Sequence, residues 1–171
     1  SFSVAYGAHT GIGTLPILYY GNEAQKAKYI PKLASGEWKA SYCLTEPSAG
    51  SDANSGKTKA KLSEDGKSWV INGQKMWITN GGFADVMIVF AKIDDDENLT
   101  AFIIDAHSDG ISKNPEEKKM GIKGSSTCVM NFDGSQGYLV GDLNKGLAAM
   151  FTMMNYARLT IGLQGIGLAD V

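Results

Sequence analysis

The residues best suited to chemistry lie in the stretch 42–52, which reads YCLTEPSAGSD. Thr45, Ser48 and Ser51 offer hydroxyls that donate and accept hydrogen bonds. Gly50 has no Cβ, so a ligand can approach the backbone closely, and the N–H groups that follow it are suited to holding a phosphate. The residues alone leave two interpretations open, a binding loop for a planar or anionic ligand and a strand that simply ends in a turn.

A second stretch, residues 73–82, reads GQKMWITNGG. Strand alternation would place Trp77 and Thr79 on one face. There the indole could stack on a planar aromatic ligand such as a flavin, and the hydroxyl could bond its polar edge. The alternative is a core tryptophan beside a threonine.

Other site chemistries find little support in the sequence. Cys43 and Cys128 form no CxxC pair, and His9 and His107 lack the spacing of metal ligands, so we predict neither a disulfide nor a metal site. The cysteine usage suggests a reducing compartment. No complete GxGxxG or P-loop motif is present, so a nucleotide cofactor would bind in a way that differs from the Rossmann fold.

Composition indicates an ordinary globular domain. The 171 residues are 43% hydrophobic and 20% charged, with a formal net charge of −2. A charge this close to zero argues against nucleic acid as a partner. Lys57, Lys59 and Lys61 occupy every second position, which predicts one solvated face of a strand.

The elements that would position these stretches begin with helices. Residues 1–20 predict one tightly packed helix, and Asn22 with Gln25 predicts the capped start of another. Pro31 should break or kink this second helix, and residues 35–36 should end it.

The middle of the chain predicts β-strands at regular spacing. Asp65-Gly66 marks one hairpin turn, and the acidic run 94–97 marks a solvated hairpin tip. With no helices between them, these strands predict an antiparallel sandwich or barrel. The predicted strands are 40–45, 57–62, 69–79, 86–93, 99–105 and 127–132.

From Asn144 the pattern becomes helical again. Its methionines predict a core stripe, and the glycines at 162, 165 and 167 predict contact points with another helix. Because the sequence starts at Ser1 and stops at Val171 inside this helical pattern, we expect it to be a segment of a longer protein.

Taken together, TEPSAGSD followed by NGQKMWITNGG resembles the acyl-CoA dehydrogenase family. Three further segments resemble that family in the same order, so the resemblance covers nearly the whole chain. The three further segments are 21–37, 117–125 and 142–158. The sequence of the matching segments is most similar to the long-chain or very-long-chain branch of the family.

The resemblance implies a mainly β fold: an antiparallel barrel or sandwich middle domain (39–143) between the end of an N-terminal helical domain (1–38) and the start of a C-terminal one (144–171). It implies FAD as cofactor, α,β-dehydrogenation of a fatty acyl-CoA, an electron-transfer flavoprotein as electron acceptor, and a homo-oligomer. The enzyme would be cytoplasmic in a bacterium and in the mitochondrial matrix in a eukaryote.

The resemblance also implies roles for individual residues. The cofactor-binding positions are Tyr42, Leu44, Thr45, Gly50, Ser51, Trp77, Ile78 and Thr79. The acyl-CoA positions are Ser51, Asn155 and Arg158. For Asn155 and Arg158 a purely structural role stays open, in which Arg158 only pairs with a carboxylate.

The chain departs from the family pattern at the catalytic base. The catalytic base of the family is a glutamate. In most members it lies in a region that would follow Val171, and in some members it directly precedes the arginine that matches Arg158. Ala157 stands there and cannot take a proton, while Glu46 belongs to the flavin motif. We therefore expect no catalytic base, and no activity, in this chain alone. The alternatives are an acyl-CoA oxidase-like flavoenzyme and a non-catalytic β-domain that binds a partner.

Overall fold

The computed structural model describes residues 2–94 and 96–170, so Ser1, Asp95 and Val171 lie outside it. The N-terminal region is divided into α1 (Phe2–Gly7), a π-helical segment (Ala8–Gly13) and α2 (Leu15–Tyr20). The expected single helix is therefore wrong. Pro16, which lacks an amide hydrogen, starts a new helix more readily than it continues one.

Helix α3 (Glu23–Ser35) begins as predicted. The Gln25 amide donates to Asn22 Oδ1 at 2.8 Å, and the Asn22 amide donates to Gln25 Oε1 at 3.0 Å. The helix ends before Gly36, whose φ of 74° is the left-handed conformation of a helix end. It is not broken at Pro31, because Tyr29 and Leu33 are buried on either side of the proline and packing holds the helix together.

The middle of the chain forms a seven-stranded sheet that closes into a small barrel. Strand β4 pairs with β2, and the ring continues through β3, β7 and β5 back to β4. This confirms the predicted mainly β fold with flanking helices. The strands are β1 (Ala40–Cys43), β2 (Lys59–Leu62), β3 (Trp69–Thr79), β4 (Val86–Ile93), β5 (Leu99–Asp105), β6 (Ile111–Lys113) and β7 (Thr127–Val140).

The pairing is not antiparallel throughout. Strands β1 and β2 both run parallel to β4 and share one of its edges, β1 along Val86–Val89 and β2 at Lys92 and Ile93. The connection 44–58 therefore carries the chain along that edge between two strands of the same direction. This connection contains the first candidate binding stretch.

Two apolar clusters explain the almost continuous hydrophobic runs of β4 and β5. Along β4, Ile88 and Phe90 face the helices, whereas Met87 and Val89 face the barrel interior. Both faces of the strand are buried, so polar residues are not needed on either side.

Helix α4 (Gly146–Ala169) packs on the barrel through its first half only. Of the predicted stripe, Met150 is buried and Met154 is partly buried against the core, whereas Ile161 and Leu163 are exposed, so the stripe is confirmed only in the first half of the helix. The three late glycines meet no described residue, because a Cβ placed on any of them would have no neighbour within 4 Å. Within residues 2–94 and 96–170, every helix is too short or too polar to span a bilayer.

Candidate functional site

The structure brings the two candidate stretches together. The Met76 amide in β3 donates to the Thr45 carbonyl at 2.9 Å. The first stretch also folds on itself, because Glu46 and Ala49 exchange two backbone hydrogen bonds of 3.1 Å each. The result is a tight loop, 45–51, fastened against the end of β3, with Gly50 and Ser51 exposed at its tip.

Strand β3 contains a bulge at this point. From Lys75 to Ile78 the register advances three residues along β3 but only two along β7, from Met130 to Cys128. Within the bulge Trp77 adopts φ = 58°, a left-handed conformation that is costly for a bulky side chain. Its side chain is turned outward and is 61% exposed, while the Ile78 side chain points into the core.

The two stretches also carry polar groups without partners. The hydroxyls of Thr45, Ser48, Ser51 and Thr79 form no hydrogen bond with any described residue. The backbone N–H groups of Gly50 and Ser51 are likewise without an acceptor in residues 2–94 and 96–170. An exposed indole on one stretch, with free hydroxyls and amides on the loop fastened to it, fits a planar heteroaromatic ligand with polar edges and a phosphate, which is the chemistry of a flavin nucleotide.

Not every predicted cofactor-site residue presents its side chain at this face. The Tyr42 ring is buried 5.0 Å from the Phe90 ring, and its hydroxyl has no partner among the described residues. Burial raises the pKa of Tyr42 well above its usual range. Leu44 is half-buried against the cluster beneath the helices. Tyr42 and Ile78 can therefore contribute to a ligand site mainly through their backbone.

The two residues predicted to contact acyl-CoA on α4 lie side by side in solvent. Arg158 Nη1 donates to Asn155 Oδ1 at 3.1 Å, and the guanidinium carbon lies 5.9 Å from the centre of the Phe151 ring. No carboxylate of the described residues pairs with Arg158, so its charge is available to a ligand. The assignment of both residues to acyl-CoA stays a prediction.

Behind the loop lies an ion pair that the sequence did not reveal. Lys75 Nζ is 2.7 Å from Glu46 Oε1, and the two side chains are 1% and 4% exposed. Lys75 also donates to the Leu44 carbonyl at 3.0 Å. Glu46 accepts further hydrogen bonds from the backbone amides of Lys57 at 2.6 Å and of Thr58 at 3.1 Å.

Strand alternation hides this pair in the sequence. Alternation places Lys75 on the same face as Trp77, which would expose both side chains. The extra residue of the bulge changes this, so that Lys75 and Ile78 are both buried while Trp77 is exposed. No pattern in the sequence marked the bulge.

The environment fixes the charge of Glu46. Burial alone would raise its pKa, but the Lys75 ammonium and the hydrogen bonds from Thr58 and Lys57 outweigh that effect and lower the pKa of Glu46. The pKa of Lys75 is also lowered, because burial disfavours its charge more strongly than Glu46 restores it. A carboxylate with its oxygens occupied in this way is a poor proton acceptor, which agrees with the expectation that Glu46 is not a catalytic base.

Two depressions, of about 320 and 290 Å³, lie away from the candidate face, since neither includes a residue of the 45–51 loop, Trp77 or Thr79. One is lined by the polar segment 116–125 and the other by residues on both sides of Ile111. Among the described residues, no three His, Cys, Asp or Glu side chains gather as a metal site would require.

Comparison with known protein families gives two matches that cover most of the chain. Residues 41–135 match the description "Acyl-CoA dehydrogenase, middle domain". Residues 1–37 match "Acyl-CoA dehydrogenase, N-terminal domain".

Individual proteins resemble the chain over nearly its full length. A probable acyl-CoA dehydrogenase of Bacillus subtilis (strain 168) is 50% identical over 170 residues, which is 98% of this chain and 28% of that protein. The human very long-chain specific acyl-CoA dehydrogenase, mitochondrial, is 45% identical over 91% of this chain and 25% of its own length. The crystal structure of an acyl-CoA dehydrogenase complexed with FAD from Bacillus anthracis has a TM-score of 0.93 and 48% identity, and it is matched over 98% of this chain and 30% of that one. The chain thus spans less than a third of each of these proteins.

Proposed function

Because this chain belongs to the acyl-CoA dehydrogenase family, we propose that its barrel forms part of the FAD site of an acyl-CoA dehydrogenase. The observation that carries the proposal is the face formed by the 45–51 loop and the β3 bulge. There a strained, exposed Trp77 is joined, through the Met76–Thr45 hydrogen bond, to a loop whose hydroxyls and amides lack partners. The solved relative from Bacillus anthracis is complexed with FAD, which supports the same assignment.

Each residue of this face has a role that suits its chemistry. Trp77 would stack against the flavin ring. Thr79 and Thr45 would bond the polar edges of the ring, since their hydroxyls can both donate and accept. Ser51 and the amide of Gly50 lie at the loop tip, where they suit the phosphate groups or the acyl-CoA.

The reaction we propose is the α,β-dehydrogenation of a fatty acyl-CoA. Bound FAD supplies the hydride acceptor, which no protein side chain can provide. A base must remove the weakly acidic α-proton, and we place that base outside this chain, because Ala157 cannot accept a proton and Glu46 is held as a buried anion. This chain by itself is then inactive.

Substrate and partners follow from the same proposal. We propose that Asn155 and Arg158 contact the CoA portion, which is supported by their exposure and by their hydrogen bond to each other on α4. The identity to the human very long-chain specific enzyme favours a long acyl chain. We further propose an electron-transfer flavoprotein as acceptor and a homo-oligomeric enzyme, cytoplasmic in a bacterium or in the mitochondrial matrix of a eukaryote.

The test uses the protein encoded by the complete reading frame that contains this chain. FAD is titrated into its apo form and followed by flavin fluorescence, and the loaded protein is then mixed anaerobically with palmitoyl-CoA. We expect FAD binding with loss of the flavin absorbance on addition of the acyl-CoA. A full-length protein that binds no FAD would overturn the proposal and favour a partner-binding domain.

The second half of the experiment separates a dehydrogenase from an oxidase. The reduced protein is exposed either to oxygen or to an electron-transfer flavoprotein. We expect rapid reoxidation by the acceptor protein and slow reoxidation by oxygen, and the reverse order would identify an oxidase.

A further inference from the structure

We infer that the buried Glu46–Lys75 ion pair is a positioning device, which sets the geometry of the candidate flavin face by holding Thr45 and Trp77 in place. This inference rests on the proposed function only for the identity of the ligand. Its geometric content concerns residues of this chain alone.

The pair fastens three separate segments at one point. Lys75 reaches from β3 to the Leu44 carbonyl, directly before the loop, and to Glu46 Oε1 within it. Glu46 in turn accepts from the amides of Lys57 and Thr58, where the chain enters β2. The two charged side chains thus join the start of the loop, the entrance to β2 and the bulge of β3.

The residues of the candidate face are direct neighbours of this junction. Thr45 precedes Glu46, and Trp77 follows Lys75 by two positions. Between them the Met76 amide donates to the Thr45 carbonyl at 2.9 Å. Any shift of the ion pair must therefore move the Thr45 hydroxyl relative to the indole.

Directionality distinguishes this pair from a simple source of stability. Burying two charges costs desolvation, and apolar residues of similar volume often serve as well for stability alone. What apolar residues do not supply is a set of directed, charge-assisted bonds to particular main-chain groups. A left-handed tryptophan persists only where its surroundings over-determine its conformation, and the bonds of Lys75 and Met76 to the loop meet that need.

The Glu46 carboxylate is packed so closely against Gly56 that one added methyl group can be used to test its position. A Cβ on Gly56 would lie 2.9 Å from Glu46 Oε1 and 3.3 Å from its carboxyl carbon. We therefore expect Gly56→Ala to shift the carboxylate while it leaves both charges in the protein.

The experiment compares four variants of the full-length protein with the wild type. Lys75→Met removes the tie, and Glu46→Gln/Lys75→Met removes both charges while an amide oxygen remains to accept from Thr58. Gly56→Ala displaces the carboxylate. Ile104→Ala is the matched control, because Ile104 is buried in the barrel interior and its loss destabilises the fold without touching the pair.

The two readouts are FAD affinity and the ¹⁹F spectrum of the apo protein labelled with 5-fluorotryptophan, in which the Trp77 resonance is assigned by its absence in Trp77→Phe. In the double variant and in Gly56→Ala we expect a shifted or broadened Trp77 resonance and FAD binding weakened at least tenfold. In Ile104→Ala we expect a lower melting temperature with the Trp77 resonance and the FAD affinity unchanged.

The outcomes separate this inference from the proposed function. If the double variant and Gly56→Ala keep the wild-type Trp77 resonance and bind FAD within twofold of wild type, the pair is merely structural and the inference is wrong. If the wild type binds no FAD, the proposed function fails, and the Trp77 resonance in the variants still decides whether the pair positions this face.

Discussion

Removing the Lys75 ammonium should cost this chain a large part of its stability. The Lys75 side chain is 1% exposed, and its ammonium lies 2.7 Å from Glu46 Oε1. Without it, the buried Glu46 carboxylate has no counter-charge. Breaking a buried pair from one side typically costs about 3–5 kcal/mol, because the remaining charge stays desolvated. For a chain of this length each kcal/mol shifts the melting temperature by roughly 2–4 °C, so we expect Lys75→Met to lower it by roughly 6–20 °C.

The measurement is thermal and urea unfolding followed by circular dichroism, on single and double variants. Glu46→Gln/Lys75→Met should be less destabilised than Lys75→Met alone, because the stranded charge is gone and an acceptor remains for the Thr58 amide. Lys26→Met is the matched control. It breaks the pair of Lys26 with Glu23, whose side chains are 33% and 93% exposed, and should change stability by less than about 1 kcal/mol.

The order of stability among these variants tests whether Glu46 depends on the Lys75 charge. A Lys75→Met protein that unfolds within about 1 kcal/mol of wild type would show that the carboxylate relaxes to solvent or takes up a proton. A double variant that is less stable than Lys75→Met would show that the charge of Glu46 is satisfied by the backbone amides alone. Either result would refute the account of the pair given above.

Three further predictions follow from single features. Trp77→Gly removes a side chain from a left-handed position, so we expect a melting temperature equal to or above that of the wild type. The loss of stacking should weaken FAD binding about tenfold. A clear loss of stability would contradict the idea that Trp77 is strained. Because the pKa of Glu46 is lowered on folding, its contribution to stability is present above its unfolded pKa of about 4.3 and is lost as the pH falls through the folded value. Acid unfolding of Glu46→Gln should lack that part of the decline, and identical pH profiles would argue against it. Gly13→Ala should destabilise the chain by about 1–3 kcal/mol, because the new Cβ would lie 2.7 Å from the Ala40 Cβ. Gly7→Ala should instead stabilise α1 by about 0.5–1 kcal/mol, because a Cβ at Gly7 would have no neighbour within 4 Å. Melting temperatures of the two variants that do not move in opposite directions would count against this packing.

Local signals in the sequence predicted local structure well. The Asn22–Gln25 cap, the hairpin around Asp65 and the limits of β3 all depend on neighbouring residues, and the structure has them as predicted. Features that depend on distant residues were missed. The parallel pairing of β1 with β4 joins Ala40 to Val86, and no periodicity in either segment specifies the direction of a partner 46 positions away.

In the candidate site, too, the features set by neighbouring residues were predicted and those set by distant pairing were not. The resemblance identified the two stretches, and the structure brings them into contact through Met76 and Thr45. It did not reveal that Tyr42 and Ile78 point into the core, nor that Lys75 is fully buried. The burial of Lys75 and of Ile78 depends on the bulge, which appears only when β3 is paired with β7, whereas Tyr42 is buried because β1 lies beside Phe90 of β4.

Closure of the barrel by its last strand has a consequence for the order of folding. Strand β7 pairs with both β3 and β5, so the ring stays open until residues 127–140 have joined it. The β2–β3, β4–β5 and β6–β7 pairs each join consecutive strands, but residues 114–126 separate β6 from β7, so loop-closure entropy delays this pair and the longer-range ones relative to the first two hairpins. We therefore expect the chain to emerge from the ribosome as two hairpins with exposed edges, and to gain its interior, and with it the β3 bulge that carries Trp77, in one late step.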